Sequence, residues 1–173
     1  MNNESRGKIR TELFADRESA ERAYDEAIAE GYKPEEINVM MSDESRQKYY
    51  DSDLVNKEET GNKSMEGLGV GSAVGGVIGG TLGAIAAIGT SILFPGLGLI
   101  IAGPLAAGLA GAGAGSISGG LVGALIGWGI PEEKAKSYEK GIKSGGIVLG
   151  VDERPERASL GSKWDKYRSR SDL

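Results

Sequence analysis

Alternation of apolar and polar residues marks two strands near the N-terminus. Ile9, Thr11 and Leu13 alternate with charged residues, which predicts a strand over residues 8–15. A second alternating run, from Ile37 to Met41, predicts another strand. We therefore expect each strand to turn one face toward a hydrophobic core.

A helical spacing separates these two strands. Between Ala20 and Ile28 apolar residues recur every three or four positions, and Asp16 stands where an N-cap belongs. Gly31 is placed to end this amphipathic helix. A right-handed crossover would make the two strands parallel, with the helix on one face of the sheet. Because two strands are too few for an independent core, a third is expected from elsewhere.

The missing strand is predicted at the other end of the chain. Pro131 opens a helix with an apolar stripe, and a strand follows over residues 147–151. We therefore predict an α+β fold whose folded part is a small three-stranded β-α-β-α-β domain, half of a ferredoxin-like arrangement. Its two parts are residues 8–42 and 131–152.

A long uncharged stretch interrupts this domain. No Asp, Glu, Lys or Arg lies between Glu66 and Glu132, whereas both flanks are rich in charge. A polar helix and linker over residues 43–65 lead into the stretch, and a charged tail over residues 153–173 follows the domain. This uneven distribution indicates that the uncharged stretch and its charged flanks lie in different environments.

Glycines in this stretch form two rows with a spacing of four residues. The first glycine row is Gly67, Gly71, Gly75, Gly79 and Gly83, and the second glycine row is Gly111, Gly115, Gly119, Gly123 and Gly127. Four-residue spacing places glycines along one side of a helix, where another backbone can approach closely. In water each glycine costs a helix about 0.8–1.0 kcal/mol relative to alanine, whereas hydrocarbon enforces helix because unpaired amides are so costly there. The rows therefore favour membrane helices.

Residues 66–130 are accordingly predicted to form a glycine-zipper transmembrane helical hairpin inserted in the domain. Runs over about 68–93 and about 105–128 each meet the roughly 20 residues that a bilayer core requires. The breakers in the turn between them are Pro95, Gly96, Gly103 and Pro104. Since this turn carries no charged residue, we expect it at or within the far interface.

Two partners are open to the glycine rows. One is the other helix of the same hairpin, and the other is a second copy of the chain. The preferred hypothesis is a homo-oligomer in which small residues pack both within and between hairpins. The tail could also contact lipid headgroups through Lys163, Trp164, Lys166, Tyr167, Arg168 and Arg170. The alternative for the tail is a disordered segment that only aids solubility.

Composition argues against several classes of function. The net charge of -5 and the pI of about 5.0 give no positive field for nucleic acid. The chain has no Cys and no His, which removes thiolate nucleophiles, imidazole bases and the usual zinc and haem ligands. We therefore assign no catalytic, cofactor-binding or metal residues, and we expect neither an enzyme nor a small-molecule substrate.

The two ends of the domain resemble a known family. The segment Ile37-Asn38-Val39-Met40-Met41-Ser42 after Gly31-Tyr32, and the segment Gly129-Ile130-Pro131-Glu132-Glu133 before Gly145-Gly146-Ile147, are similar to bacterial general stress and low-temperature-induced proteins. In that family a glycine-rich apolar segment separates the same two pieces. The resemblance implies stress-linked expression and membrane association, and it carries over no catalytic residue.

Three hypotheses about function follow from the sequence. The first is a non-enzymatic protein of the bacterial inner membrane, with its domain and both termini cytoplasmic, that homo-oligomerises and stabilises, shapes or permeates the bilayer. The second is an oligomeric pore, which the shortage of polar side chains in the stretch disfavours. The third is a soluble self-assembling shell or filament protein with its apolar hairpins buried between subunits.

Overall fold

The described part of the chain contains both helices and strands. The computed structural model describes residues 8–51, 91–94, 98–104, 106, 120–127, 129–153 and 160–168. The strands are β1 (Lys8–Phe14), β2 (Ile37–Ser42), β3 (Ser91–Phe94), β4 (Leu99–Ala102) and β5 (Ile147–Glu153). The helices are α1 (Arg17–Ala29), α2 (Asp43–Arg46), α3 (Gly120–Gly127), α4 (Glu132–Lys143) and α5 (Gly161–Trp164). Short turns of 3-10 and π-helix occupy Pro34–Glu36 and Gln47–Asp51. The mixed α+β class is confirmed.

The strands form one antiparallel sheet in the order β1-β5-β2-β4-β3. β1 and β2 run in the same direction, as predicted, but β5 lies between them and is antiparallel to both. This is a split β-α-β arrangement. The predicted count of three strands is wrong, because β3 and β4 bring the strands of the described residues to five.

Helix ends follow the local signals in the sequence. The Asp16 side chain accepts a hydrogen bond from the backbone N–H of Ser19 at 2.8 Å, which caps α1. Gly31 follows the helix with a φ of 85°, a conformation that glycine adopts without strain. Pro131 is the N-cap of α4, where its missing N–H costs nothing. The predicted helices after Asp16 and Pro131 are confirmed.

Helices cover both faces of the sheet. On one face, α1 and α5 pack over Phe14, Val39 and Leu149. On the opposite face, α3 and α4 pack over Leu13, Met40 and other residues of a second apolar cluster. Because both faces are covered, the first five residues of β2 and of β5 are buried in succession. The expectation that each strand turns one face to a core is therefore wrong, and in β1 Glu12 and Phe14 are buried as well as Leu13.

Strands of the sheet flank the predicted turn of the transmembrane hairpin, which corrects the prediction for the described residues on both sides of it. Ser91–Phe94 and Leu99–Ala102 are strands, where we predicted the end of one crossing and a turn at the far membrane interface. β4 pairs with β2 over residues 99–102 and is buried throughout. The C-terminal end of the second predicted crossing is α3, whose Leu121 and Leu125 pack in the domain. The prediction placed these residues in or beside lipid, whereas the structure pairs or buries them within the protein.

Most of the two predicted crossings lies outside the described residues. This holds for residues 68–90 and 107–119 and for the linker after Asp51. Within the described ranges, no helix has both the length and the apolar composition needed to cross a bilayer.

Candidate functional site

A β-hairpin formed by β3 and β4 brings two distant parts of the sequence together. Phe94 pairs with Leu99 at its closed end, and Ser91 pairs with Ala102 at its open end. Paired residues of antiparallel strands lie about 4.5–5.5 Å apart between Cα atoms. The chain therefore enters this hairpin from the first glycine-rich segment and leaves toward the second at neighbouring points.

Gly103 directs the chain away from β4. Its φ is 101°, and a Cβ atom at this position would lie 2.6 Å from the backbone oxygen of Ile37. Side chains are thus excluded both by the backbone conformation and by the neighbouring strand. Ala106 then donates its backbone N–H to the Gly103 oxygen at 3.0 Å and is buried in the same cluster as α3. The chain that leaves β4 therefore reaches the α3 side of the sheet at Ala106.

Helix α3 has one face in the core and another without side-chain contacts at its glycines. Leu121 and Leu125 are buried against α4 and the sheet. On the other side, a Cβ atom at Gly123 or Gly127 would meet nothing within 4 Å in the described structure. Ile126 is 43 % exposed, the largest value among the big apolar side chains described. This outer face of α3 comprises Gly123, Ile126 and Gly127, and it carries no charge. Val122, next to it, packs partly buried against the second apolar cluster.

The neighbouring helix α4 presents a different surface. Its outward residues form ion pairs, Lys136 with Glu132 at 2.6 Å and Lys143 with Glu139 at 2.8 Å. The hydrogen bond from Lys136 lowers the pKa of the Glu132 carboxyl. The side of α4 that faces water is charged, as is usual for a surface helix. The outer face of α3, in the same layer of helices, differs because it carries no charge.

Few of the glycines predicted to pack helices are described. Gly123 and Gly127 lie on α3, and neither makes a close helix contact within the described residues. The others lie outside those residues: Gly67, Gly71, Gly75, Gly79, Gly83, Gly111, Gly115 and Gly119. Of the predicted turn residues, Pro95 and Gly96 also lie outside, whereas Gly103 and the exposed Pro104 follow β4.

The structure places part of the predicted lipid-contact set inside the protein. Trp164 is fully buried, its ring meets Phe14 edge to face at 5.8 Å, and its Nε1 donates to the backbone oxygen of Ala23. Tyr167 packs partly buried against the same cluster. These two aromatic side chains therefore anchor the tail to the domain, and Trp164 is not available to headgroups.

Some basic residues of the tail form ion pairs with carboxylates, and others are exposed to solvent. Lys163 forms ion pairs with Glu30 and with Glu26, and its hydrogen bond to Glu30 raises the pKa of its ammonium group. Lys166 is exposed. Arg170 lies outside the described residues.

Glu12 joins the helical layers on the two sides of the sheet. Its carboxylate lies 3.1 Å from the Lys134 ammonium on α4 and 3.6 Å from the Arg168 guanidinium after α5. Lys134 also donates to the backbone oxygen of Thr11 at 2.7 Å, so it occupies an edge acceptor of β1. Charged side chains therefore protect this edge of the sheet.

Sequence reasoning missed the β-hairpin although a signal for it was present. The apolar runs Ser91–Phe94 and Leu99–Ala102 contain β-branched isoleucines and flank a Pro-Gly pair at residues 95–96. Two short apolar runs around a turn dipeptide are typical of a hairpin. The surrounding hydropathy favoured a membrane helix, which hid this local pattern.

The described residues show no arrangement that would hold a metal ion, since no three acidic side chains come together there. Comparison of the chain with protein-family models, with curated proteins and with solved structures finds no match.

Proposed function

We propose that this chain is a non-enzymatic, stress-associated membrane protein that self-associates through its glycine-rich segments. The observation that carries the proposal is the pairing of Ser91 with Ala102, which holds the ends of the two segments side by side on one domain. The domain then acts as a base from which both apolar segments reach the bilayer of the bacterial inner membrane from its cytoplasmic side.

The composition of the segments supports this proposal. Residues 67–90 carry no charge and are long enough to insert in a bilayer core of about 30 Å. The glycine rows suit close packing between helices in lipid, where small residues form the preferred interface. The resemblance to general stress and low-temperature-induced proteins supports the stress association. The effect on the bilayer would be to stabilise, shape or permeate it.

A second candidate function is a soluble self-assembling protein whose apolar segments are buried between subunits. The burial of Leu99–Ala102 within the sheet favours it, because part of the uncharged stretch already lies in protein. On this hypothesis the remaining glycine-rich segments would pack against those of other copies. Large particles that persist without detergent and carry no lipid would support it over the membrane proposal.

Liposome flotation of the full chain, combined with sizing in and out of detergent, separates the two candidates. Ile78 lies in the first glycine-rich segment, and Ile28 is a half-exposed residue on α1. The membrane proposal predicts that the chain floats with liposomes and that Ile78→Lys reduces flotation several-fold. A lysine in the hydrocarbon core costs about 2.5–3.5 kcal/mol. The matched control Ile28→Lys should float as the unmodified chain does.

Two results would overturn the membrane proposal. One is a chain that stays in the dense fraction with liposomes. The other is a detergent-independent, lipid-free particle of unchanged size in both variants.

A further inference from the structure

β3 is the last strand of the sheet in the order β1-β5-β2-β4-β3, so no other strand of the described residues pairs with its outer edge. We infer that this edge is an interface between two copies of the chain, in which β3 pairs antiparallel with β3 of the second copy. A two-fold axis relates the copies. The inference goes beyond the proposed function, because this interface belongs to the folded domain.

The hydrogen bonds of β4 show how its backbone is oriented. Asp43 donates its backbone N–H to the oxygen of Gly98 at 2.8 Å, one step beyond the pair of Ser42 with Leu99. In antiparallel strands, hydrogen-bonded pairs alternate with pairs that are not bonded. The backbone groups of Leu99 and Ile101 therefore turn away from β2 and toward β3.

The same alternation identifies the outward groups of β3. Leu99 pairs with Phe94, and Ile101 pairs with Ile92, so these two residues of β3 turn their backbone groups inward. The N–H and C=O of Ser91 and Leu93 therefore point away from the sheet. A row of donors and acceptors of this kind is a template for another strand.

The opposite edge of the sheet is closed to such pairing. Lys134 donates to the backbone oxygen of Thr11 at 2.7 Å, and the neighbouring Glu12 forms ion pairs with Lys134 and Arg168. Pairing of β3 with β1 of another copy would repeat from copy to copy and give a filament. Because charged side chains occupy the β1 edge, β3 of a second copy is the strand that fits, and this pairing closes after two copies.

One register uses every outward group of the two strands. With Ser91 of one copy opposite Leu93 of the other, the N–H and C=O of both residues pair, and the axis passes beside Ile92. Placing Leu93 opposite Leu93, or Ser91 opposite Ser91, pairs only half of these groups. β3 carries no charged residue, so two copies meet without the repulsion of like charges across the strands.

The small size of this interface determines how it should be detected. A strand of four residues buries less than the roughly 1,000 Å² expected of a stable complex, so the dimer forms transiently in dilute solution. A higher local concentration of chains would favour it. Covalent trapping is therefore a better measurement than sizing.

Disulfide trapping tests the inference, because the natural chain contains no cysteine. In the proposed register Ile92 lies opposite Ile92 of the second copy, with the two Cα atoms about 4.5 Å apart. The full chain with Ile92→Cys should therefore form disulfide-linked dimers on oxidation, with and without liposomes. In the control Leu93→Cys the two cysteines are offset by about 7 Å along the strands, so crosslinking should be roughly tenfold slower.

Two proline variants separate pairing from folding. Ser91→Pro removes an outward N–H at the first residue of an edge strand, where proline is tolerated. Added to Ile92→Cys, it should reduce the dimer several-fold and leave the thermal transition of the domain unchanged. Ile92→Pro removes an N–H that points to β4, so by itself it should lower the thermal transition.

Two results would overturn the inference. One is equal crosslinking of Ile92→Cys, Leu93→Cys and Lys136→Cys, an exposed position on α4, which would indicate random collision. The other is no crosslink of Ile92→Cys in a chain whose thermal transition is that of the natural protein. A chain that does not float with liposomes can still crosslink at residue 92, so this inference and the membrane proposal fail separately.

Discussion

The indole nitrogen of Trp164 donates a hydrogen bond to the backbone oxygen of Ala23 at 2.9 Å, and thereby joins the C-terminal tail to α1. The two residues are separated by most of the chain, yet both are fully buried. Leu160 lies in the same cluster, so α5 completes the hydrophobic core over one face of the sheet. The tail is thus a structural part of the domain.

Removing this anchor should destabilise the domain strongly. Trp164→Ala deletes a fully buried ring and its hydrogen bond, and we expect a loss of about 3–5 kcal/mol in the free energy of unfolding. Urea unfolding followed by circular dichroism measures the change. Lys166→Ala, an exposed position on the same segment, serves as control and should shift the free energy by less than about 0.5 kcal/mol. Equal stability of both variants would show that the tail is not docked.

The carboxylate of Glu12 should matter more than the carboxylates on the surface of α4. Glu12→Gln weakens the ion pairs with Lys134 and Arg168 at a position where Glu12 is only 7 % exposed. We expect a loss of about 1–2 kcal/mol in urea unfolding. The control Glu132→Gln breaks a fully exposed pair with Lys136, which solvent screens, and should change the free energy of unfolding less than Glu12→Gln does. The reverse order of effects would contradict the bridging role of Glu12.

Two glycines in the described structure should respond to alanine in opposite directions. Gly103→Ala places a Cβ against the Ile37 oxygen in a backbone conformation that alanine avoids, so a loss of about 2 kcal/mol or more is expected. Gly123→Ala lies inside a helix with open space, where alanine gains about 0.8–1.0 kcal/mol. Thermal unfolding of the two variants beside the natural chain gives the comparison. A stabilising Gly103→Ala would disprove the close approach to β2.

Alkaline pH should unfold the domain partly through Tyr24. Burial raises the pKa of its hydroxyl from 10.0 to about 12, and Asp25 and Glu35 add to the shift. The unfolded chain ionises near pH 10, so the stabilisation is complete below that pH and is lost as pH rises toward 12. A shift of this size corresponds to about 2–3 kcal/mol. The free energy of unfolding should therefore fall between pH 10 and 12.

Tyr24→Phe removes this titration and tests the assignment. The buried hydroxyl has no hydrogen-bond partner among the described residues, so at neutral pH the variant should be as stable as the natural chain or slightly more so. Above pH 10 its stability should fall less steeply. Parallel pH curves for the two proteins would assign the alkaline loss to other groups.

The paired ends of the domain were predictable because their signals are local. Asp16 as a cap, Pro131 as a helix start and the alternation around Leu13 each act within a few residues. These signals do not specify which strands pair. The position of β5 between β1 and β2 depends on contacts between residues more than a hundred positions apart, such as the hydrogen bond from Asn38 to Gly150.

The hairpin and the tail anchor were not predicted because their stabilisation is tertiary. An apolar run such as Leu99–Ala102 suits a buried strand and a membrane helix equally, and only the free edge of β2 decides between them. A single tryptophan without periodic neighbours likewise gives no sign of burial. Of the candidate site, the glycine spacing was readable from sequence, whereas the outer face of α3 emerges only when Leu121 and Leu125 are placed in the core.

The central position of β5 sets an order of events during synthesis. β1 and β2 leave the ribosome early but cannot pair with each other, since the strand that belongs between them ends at Glu153. The whole uncharged stretch is therefore translated before the sheet can close. Non-local pairing of this kind folds slowly and leaves apolar chain exposed in the meantime. The glycine-rich segments of a nascent chain are thus made while its own domain is still incomplete.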